Sequence, residues 1–97
     1  MIKHIVCFKI KEEYQNLIVE AKKTLLSMKE HIDYLIDIQV GIDFLHSERS
    51  YDLILEVTLE NKEMLDIYQK NEYHCSVVKP LMHKIRVSSV AVDYEVE

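Results

Sequence analysis

The chain opens on an alternating stretch. Over Ile2–Ile10, the residues Ile2, His4, Val6, Phe8 and Ile10 fall on one face of an extended strand, and Lys3, Ile5, Cys7 and Lys9 on the other. Both faces are apolar at the centre and polar at the ends, which predicts a strand covered on two sides. The period then changes. Leu17, Ile18, Ala21, Leu25 and Met28 recur at helical intervals, so one helix is expected over residues 13–31. Alternation returns over residues 34–42, where Ile36, Ile38, Val40 and Ile42 interleave with Asp37, Gln39 and Gly41. It returns again over residues 51–59, with Tyr51, Leu53, Leu55, Val57 and Leu59 on one side. The polar stretch between them carries Phe44 and Leu45 and reads as a loop or ragged hairpin. Asn61 is a good N-cap for a second helix, with Glu63 near its positive end. Met64, Leu65, Ile67 and Tyr68 give that helix its apolar side, which fades by Asn71. Residues 73–79 predict one or two further helical turns, ended or redirected by Pro80. The last strand is expected over residues 85–94. Its apolar set changes face after Val87, as a bulge or an interface-facing side would require.

The resulting order, β-α-β-β-α-β, is the split βαβ arrangement of a ferredoxin-like α+β subunit. Right-handed crossovers put both helices on one side of the sheet. The other side, with Cys7 or Phe8, Ile54 and a line from the second strand, is then left apolar and bare. Folded monomers seldom expose such a patch. A second copy packed sheet to sheet would close it, so a homodimer forming a dimeric α/β barrel is expected; a monomer whose bare face binds another protein is the alternative. Length points the same way. The 97 residues make one domain, 1–97. A chain this size buries only roughly 65% of its unfolded surface on folding.

Composition narrows the function classes. Formal net charge is -5, and the longest basic run is Lys22-Lys23. Nothing here collects phosphates, so neither nucleic acid nor an anionic membrane is an expected partner. A single glycine rules out a P-loop or dinucleotide fingerprint as usually built. The five histidines lack ligand spacing, so no metal and no cofactor is expected. Cys7 and Cys75 have no paired-thiol spacing and read as small buried hydrophobes, in keeping with a reducing compartment. With no leader pattern and no bilayer-length apolar run, the cytoplasm is the expected location.

Two clusters could carry chemistry. His4 shares its strand face with Val6 and Phe8, either as a hydrogen-bonded structural residue or as a pocket wall. Tyr68 sits on the apolar side of the second helix, and His74 follows just past the helix end. A chain folding back there sets an imidazole beside a phenol, a base-and-donor pair for proton transfer or enolisation. The structural alternative is that the pair ties its segment to the sheet. The ligand pocket is therefore expected from His4, Phe8, Tyr68, Tyr73 and His74, with His74 and Tyr68 as the catalytic candidates and a small apolar or carbonyl-containing ligand. Asp52 and Glu56 flank Ile54 on one strand face and read as rim or interface groups. Arg49 and Arg86, the two arginines, are their candidate partners.

Four stretches together resemble the stress-responsive dimeric α/β barrel (Dabb) domain family. They are the opening Lys3-His4-Ile5-Val6-Cys7-Phe8-Lys9-Ile10-Lys11; Gly41 followed after a loop by Ser50-Tyr51-Asp52-Leu53-Ile54-Leu55; Leu65-Asp66-Ile67-Tyr68 continuing to Tyr73-His74; and the closing Val92-Asp93-Tyr94-Glu95. The resemblance spans essentially the whole chain and implies a ferredoxin-like subunit whose sheets pair into a barrel. Most members have no assigned activity. One plant branch is similar to polyketide cyclases, which close a linear polyketide thioester by an intramolecular aldol condensation. In that branch a tyrosine and a histidine aligned with Tyr68 and His74 do the chemistry, and His4 matches its opening histidine. This chain departs from it with Asn71-Glu72 in place of His-Pro, and with Leu53 where the branch has a further pocket histidine.

Overall fold

The computed structural model describes residues 1–96. Strand β1 (Ile2–Ile10) runs into a 3-10 turn (Glu12–Leu17), then helices α1 (Ile18–Leu26) and α2 (Met28–His31). Strands β2 (Asp37–Ile42) and β3 (Leu53–Leu59) follow, then helix α3 (Lys62–Gln69). A π-helical turn (His74–Val78) leads directly into helix α4 (Lys79–Ile85), and β4 (Arg86–Glu95) closes the fold. The sheet order is β2-β3-β1-β4, antiparallel throughout, with β2 and β4 at the edges. This is the expected ferredoxin-like topology.

The helices cover one face. Ile2, Phe8 and Ile10 of β1 and Leu53, Leu55, Val57 and Leu59 of β3 are buried there, against Ala21, Leu25 and Met28 and against Tyr68, Val78, Met82 and Ile85. Full burial of a side chain such as Leu25 stabilises the fold by about 2–3 kcal/mol before packing losses are counted. Phe8 faces the helices, and Cys7 the bare side.

Local chemistry explains where the elements depart from their expected bounds. The long first helix is broken at Ser27, whose Oγ donates back to the Thr24 carbonyl at 2.5 Å and lies 2.6 Å from the Tyr73 hydroxyl. Back-bonding of this kind bends helices. Asn61 caps α3 as expected, its Oδ1 accepting from the Met64 amide at 2.9 Å. Pro80 does not end a helix; it sits in the first turn of α4, where its missing N–H costs nothing. Cys75 is exposed rather than buried, because the π turn carries its thiol outward to the Gln69 carbonyl. Cys7 is half-buried, and burial pushes its thiol up, with Glu56 adding to the effect. Asp52, expected at the rim, is 7% exposed. Its carboxylate accepts from the Ile10 amide at 2.7 Å, and its own amide donates to the Phe8 carbonyl at 2.9 Å. The chain turns inward just before β3 begins, so strand parity does not govern that side chain.

One register shift shapes everything on the β4 side. Lys9 pairs with Ser88 and Ile10 with Arg86, leaving Val87 as the extra residue of a bulge. Beyond it, Ser89, Ala91 and Asp93 lie opposite Phe8, Val6 and His4 and so share the helix face. Val90, Val92 and Tyr94 lie opposite Cys7, Ile5 and Lys3 on the helix-free face, where they are exposed. The bulge and the outward apolar side thus occur together. Among the described residues no helix is long and apolar enough to cross a membrane.

Candidate functional site

Large apolar residues fill the space between helices and sheet over β1 and β3. Under β4 the sheet offers only small or polar side chains, Ser89 and Ala91 among them, and a cleft of about 230 Å³ remains. Its floor is Val6, Phe8 and Leu55; Val78 and Met82 form the helical wall. His4, Tyr68 and His74 also line it.

Each of these three rings is set by its element. His4 lies mid-strand on β1, and antiparallel pairing brings Asp93 of β4 directly opposite. The His4 Nδ1–H donates to the Asp93 carboxylate, which fixes the ring and leaves Nε2 as its open position. Tyr68 closes the last turn of α3 and is wholly buried. His4 meets the Tyr68 ring edge-on at 5.7 Å between centroids, and His74 lies tilted against it at 4.6 Å. The His74 backbone amide is held by the Asn71 side chain at 3.1 Å. The π turn then buries both His74 and Val78, one turn apart, on the cleft side. Turns of this type recur where a side chain must be re-aimed.

Burial keeps the two chemical candidates, His74 and Tyr68, uncharged. Burial holds the His74 imidazole down, to about 4, helped by the positive charge of Lys79 and by His4 and partly opposed by the Gln69 carbonyl. The ring is therefore neutral at pH 7, and its Nδ1 has no hydrogen-bond partner among the described residues. Tyr68 is pushed far up by burial and by the nearby Tyr34, so its phenol stays protonated. That hydroxyl donates to the Met28 sulfur at 3.7 Å. It is directed into the core, and it is the Tyr68 ring that faces the cleft.

A family model described as the stress responsive A/B barrel domain, Dabb, matches residues 2–96. The chain belongs to this family. No curated protein matches this A/B barrel domain. Several solved structures do. A dimeric protein of unknown function and ferredoxin-like fold from Bacteroides fragilis is 22% identical with a TM-score of 0.86, over 98% of this chain and 95% of that one. An Arabidopsis thaliana protein is 20% identical with a TM-score of 0.85, over 100% and 96%. A dimeric ferredoxin-like protein of unknown function from Thermobifida fusca is 19% identical with a TM-score of 0.85, over 98% and 90%. At such identities the likeness establishes the fold.

Four of the five residues expected at a pocket, His4, Phe8, Tyr68 and His74, line the cleft of the A/B barrel domain. Tyr73 does not. It stacks on His31 at 3.9 Å and 3° on the outer side of the helices, and its hydroxyl meets Ser27. Among the described residues Arg86 pairs with no carboxylate; its Nη1 donates to the Ser89 hydroxyl at 3.2 Å. Sequence reasoning missed Asp93 as the partner of His4, and missed Lys79, His83 and Arg86 at the cleft. For Asp93 a signal existed, since it sits one strand period from the apolar Ala91. Reading it needed the bulge at Val87. No group of three or more His, Cys, Asp or Glu among the described residues is placed to hold a metal ion.

Proposed function

We propose that this A/B barrel domain acts as a homodimer in which each subunit binds a small, largely apolar ligand in the cleft under β4. The observation that carries the ligand reading is the cleft itself: an apolar floor and helical wall, with two imidazoles and one aromatic face converging on the same space. Binding sites for small molecules combine apolar surface with placed polar groups in this way. A carbonyl-containing ligand suits it, because an imidazole can offer a hydrogen bond there without placing a charge. The dimer is supported by the bare side of the sheet, where Val90, Val92 and Tyr94 lie beside Ile5, Cys7 and Ile54. Val92 alone is 61% exposed in the single subunit. The Bacteroides and Thermobifida structures are themselves described as dimeric.

The test has two arms. Alkyl amides and aryl ketones, followed by ligand-observed NMR, should give saturation transfer with the parent protein and lose it in Ala91→Trp, which fills the cleft. Binding undiminished in that variant overturns the ligand reading. For the dimer, Val92→Glu should move the sedimentation coefficient from two subunits to one, and a parent protein that sediments as one subunit at high micromolar concentration overturns it.

A second reading makes the same cleft catalytic, with His74 as base and Tyr68 as hydrogen-bond donor in an aldol cyclisation of the polyketide-cyclase kind. Their 4.6 Å ring separation favours it. The Tyr68 hydroxyl, donated to Met28, has to turn through its buried surroundings before it serves a substrate. Ligand binding needs no such movement, and we rank it first.

A further inference from the structure

The charged groups of the cleft are all of one sign. Lys79 at the start of α4 and Arg86 at the start of β4 line it together, and among the described residues no aspartate or glutamate does. Such a concentration is unusual in a chain whose formal net charge is -5. Nor are these cations neutralised from outside: the ion pairs among the described residues join His4 to Asp93, His46 to Asp43 and Lys62 to Glu95. Asp93, opposite His4 on β4, is engaged by it. Lys79 and Arg86 are both half-buried at the cleft.

We infer that the natural ligand of the cleft is an amphipathic acid, whose apolar body lies against Val6, Phe8 and Leu55 and whose carboxylate head is held between Lys79 and Arg86. This rests on the ligand-binding reading above and specifies its chemistry. Arg86 is the primary head-group residue. Its guanidinium is planar and suits a carboxylate in two-point contact. Its Nη1 also donates to the Ser89 hydroxyl at 3.2 Å, which directs it along the cleft-lining side of β4. Lys79 adds a point charge from the facing helix. That its field already opposes protonation of His74 fits a position at the same end of the cleft. The rings of His4, Tyr68 and His74 then meet the apolar body and any carbonyl it carries.

The experiment compares octanoate with octanamide, which share size and chain and differ in charge. Titration calorimetry on the whole protein at pH 8 and low salt makes the comparison. Octanoate should bind at least tenfold more tightly than octanamide. In Arg86→Gln and in Lys79→Gln that ratio should drop several-fold. In the parent protein it should also shrink as salt is raised, since exposed charges are screened. The salt series needs no variant and holds even if a substitution disturbs folding. Octanamide binding as tightly as octanoate overturns the inference while leaving a ligand cleft in place. Failure of both probes to bind removes the cleft reading, and this inference with it.

Discussion

His74 should make the protein acid-sensitive in a defined window. Its imidazole is 8% exposed and held down to about 4, against 6.5 for the free group. The unfolded chain therefore takes up a proton near pH 6.5, whereas the folded chain resists until about pH 4. Between those values the unfolded state binds more protons, so stability falls as pH falls. The contribution is fully present above pH 6.5 and is lost on the way down through pH 4. At about 1.4 kcal/mol per pH unit the full effect is about 3 kcal/mol. Solvent reaching the open side of the cleft screens part of it, which leaves about 2 kcal/mol. Urea denaturation of the parent and of His74→Gln, at fixed protein concentration between pH 4 and pH 7.5, isolates this residue. The parent should lose about 2 kcal/mol more than the variant on acidification. Parallel curves across that range would refute the claim that burial keeps His74 neutral.

Asp52→Ala removes the acceptor for the buried Ile10 amide and should cost about 1–3 kcal/mol in urea denaturation; a change below about 0.5 kcal/mol would return Asp52 to the rim. Tyr68→Phe gives up only a weak bond to the Met28 sulfur. Stability should therefore change by less than about 1 kcal/mol and the affinity of cleft ligands by less than about twofold, whereas a large affinity loss would mean the hydroxyl turns toward the ligand.

What the sequence revealed and what it hid follow from the range of the interactions involved. Strand and helix identities were legible, because alternation in β1 and β3 and the spacing of Ala21, Leu25 and Met28 are local. The cap at Asn61 was legible for the same reason. The break at Ser27 was not, since it is shared with Tyr73, 46 residues away. Asp52 was misplaced because strand parity stops applying where the chain turns. The site was half legible: His4, Phe8, Tyr68 and His74 sit on recognisable element faces. The Asp93 partner and the cationic mouth needed the register of β4 against β1.

That register makes β4 responsible for both proposed properties. A one-residue slip in a strand exchanges its two faces. With Val87 bulged out, Val90, Val92 and Tyr94 serve the helix-free side, and Ser89, Ala91 and Asp93 leave room beneath the helices. Deleting Val87 removes only the unpaired residue: with Arg86 held opposite Ile10, Ser88 still meets Lys9 and Ser89 still meets Phe8. The deletion should therefore keep both ligand binding and the dimer, whereas Ala91→Trp should affect the cleft alone and Val92→Glu the dimer. Sedimentation and ligand-observed NMR on the three proteins read both quantities. A folded deletion variant that loses its dimer affinity or its ligand binding would show that the two faces of β4 are not set by its pairing with β1.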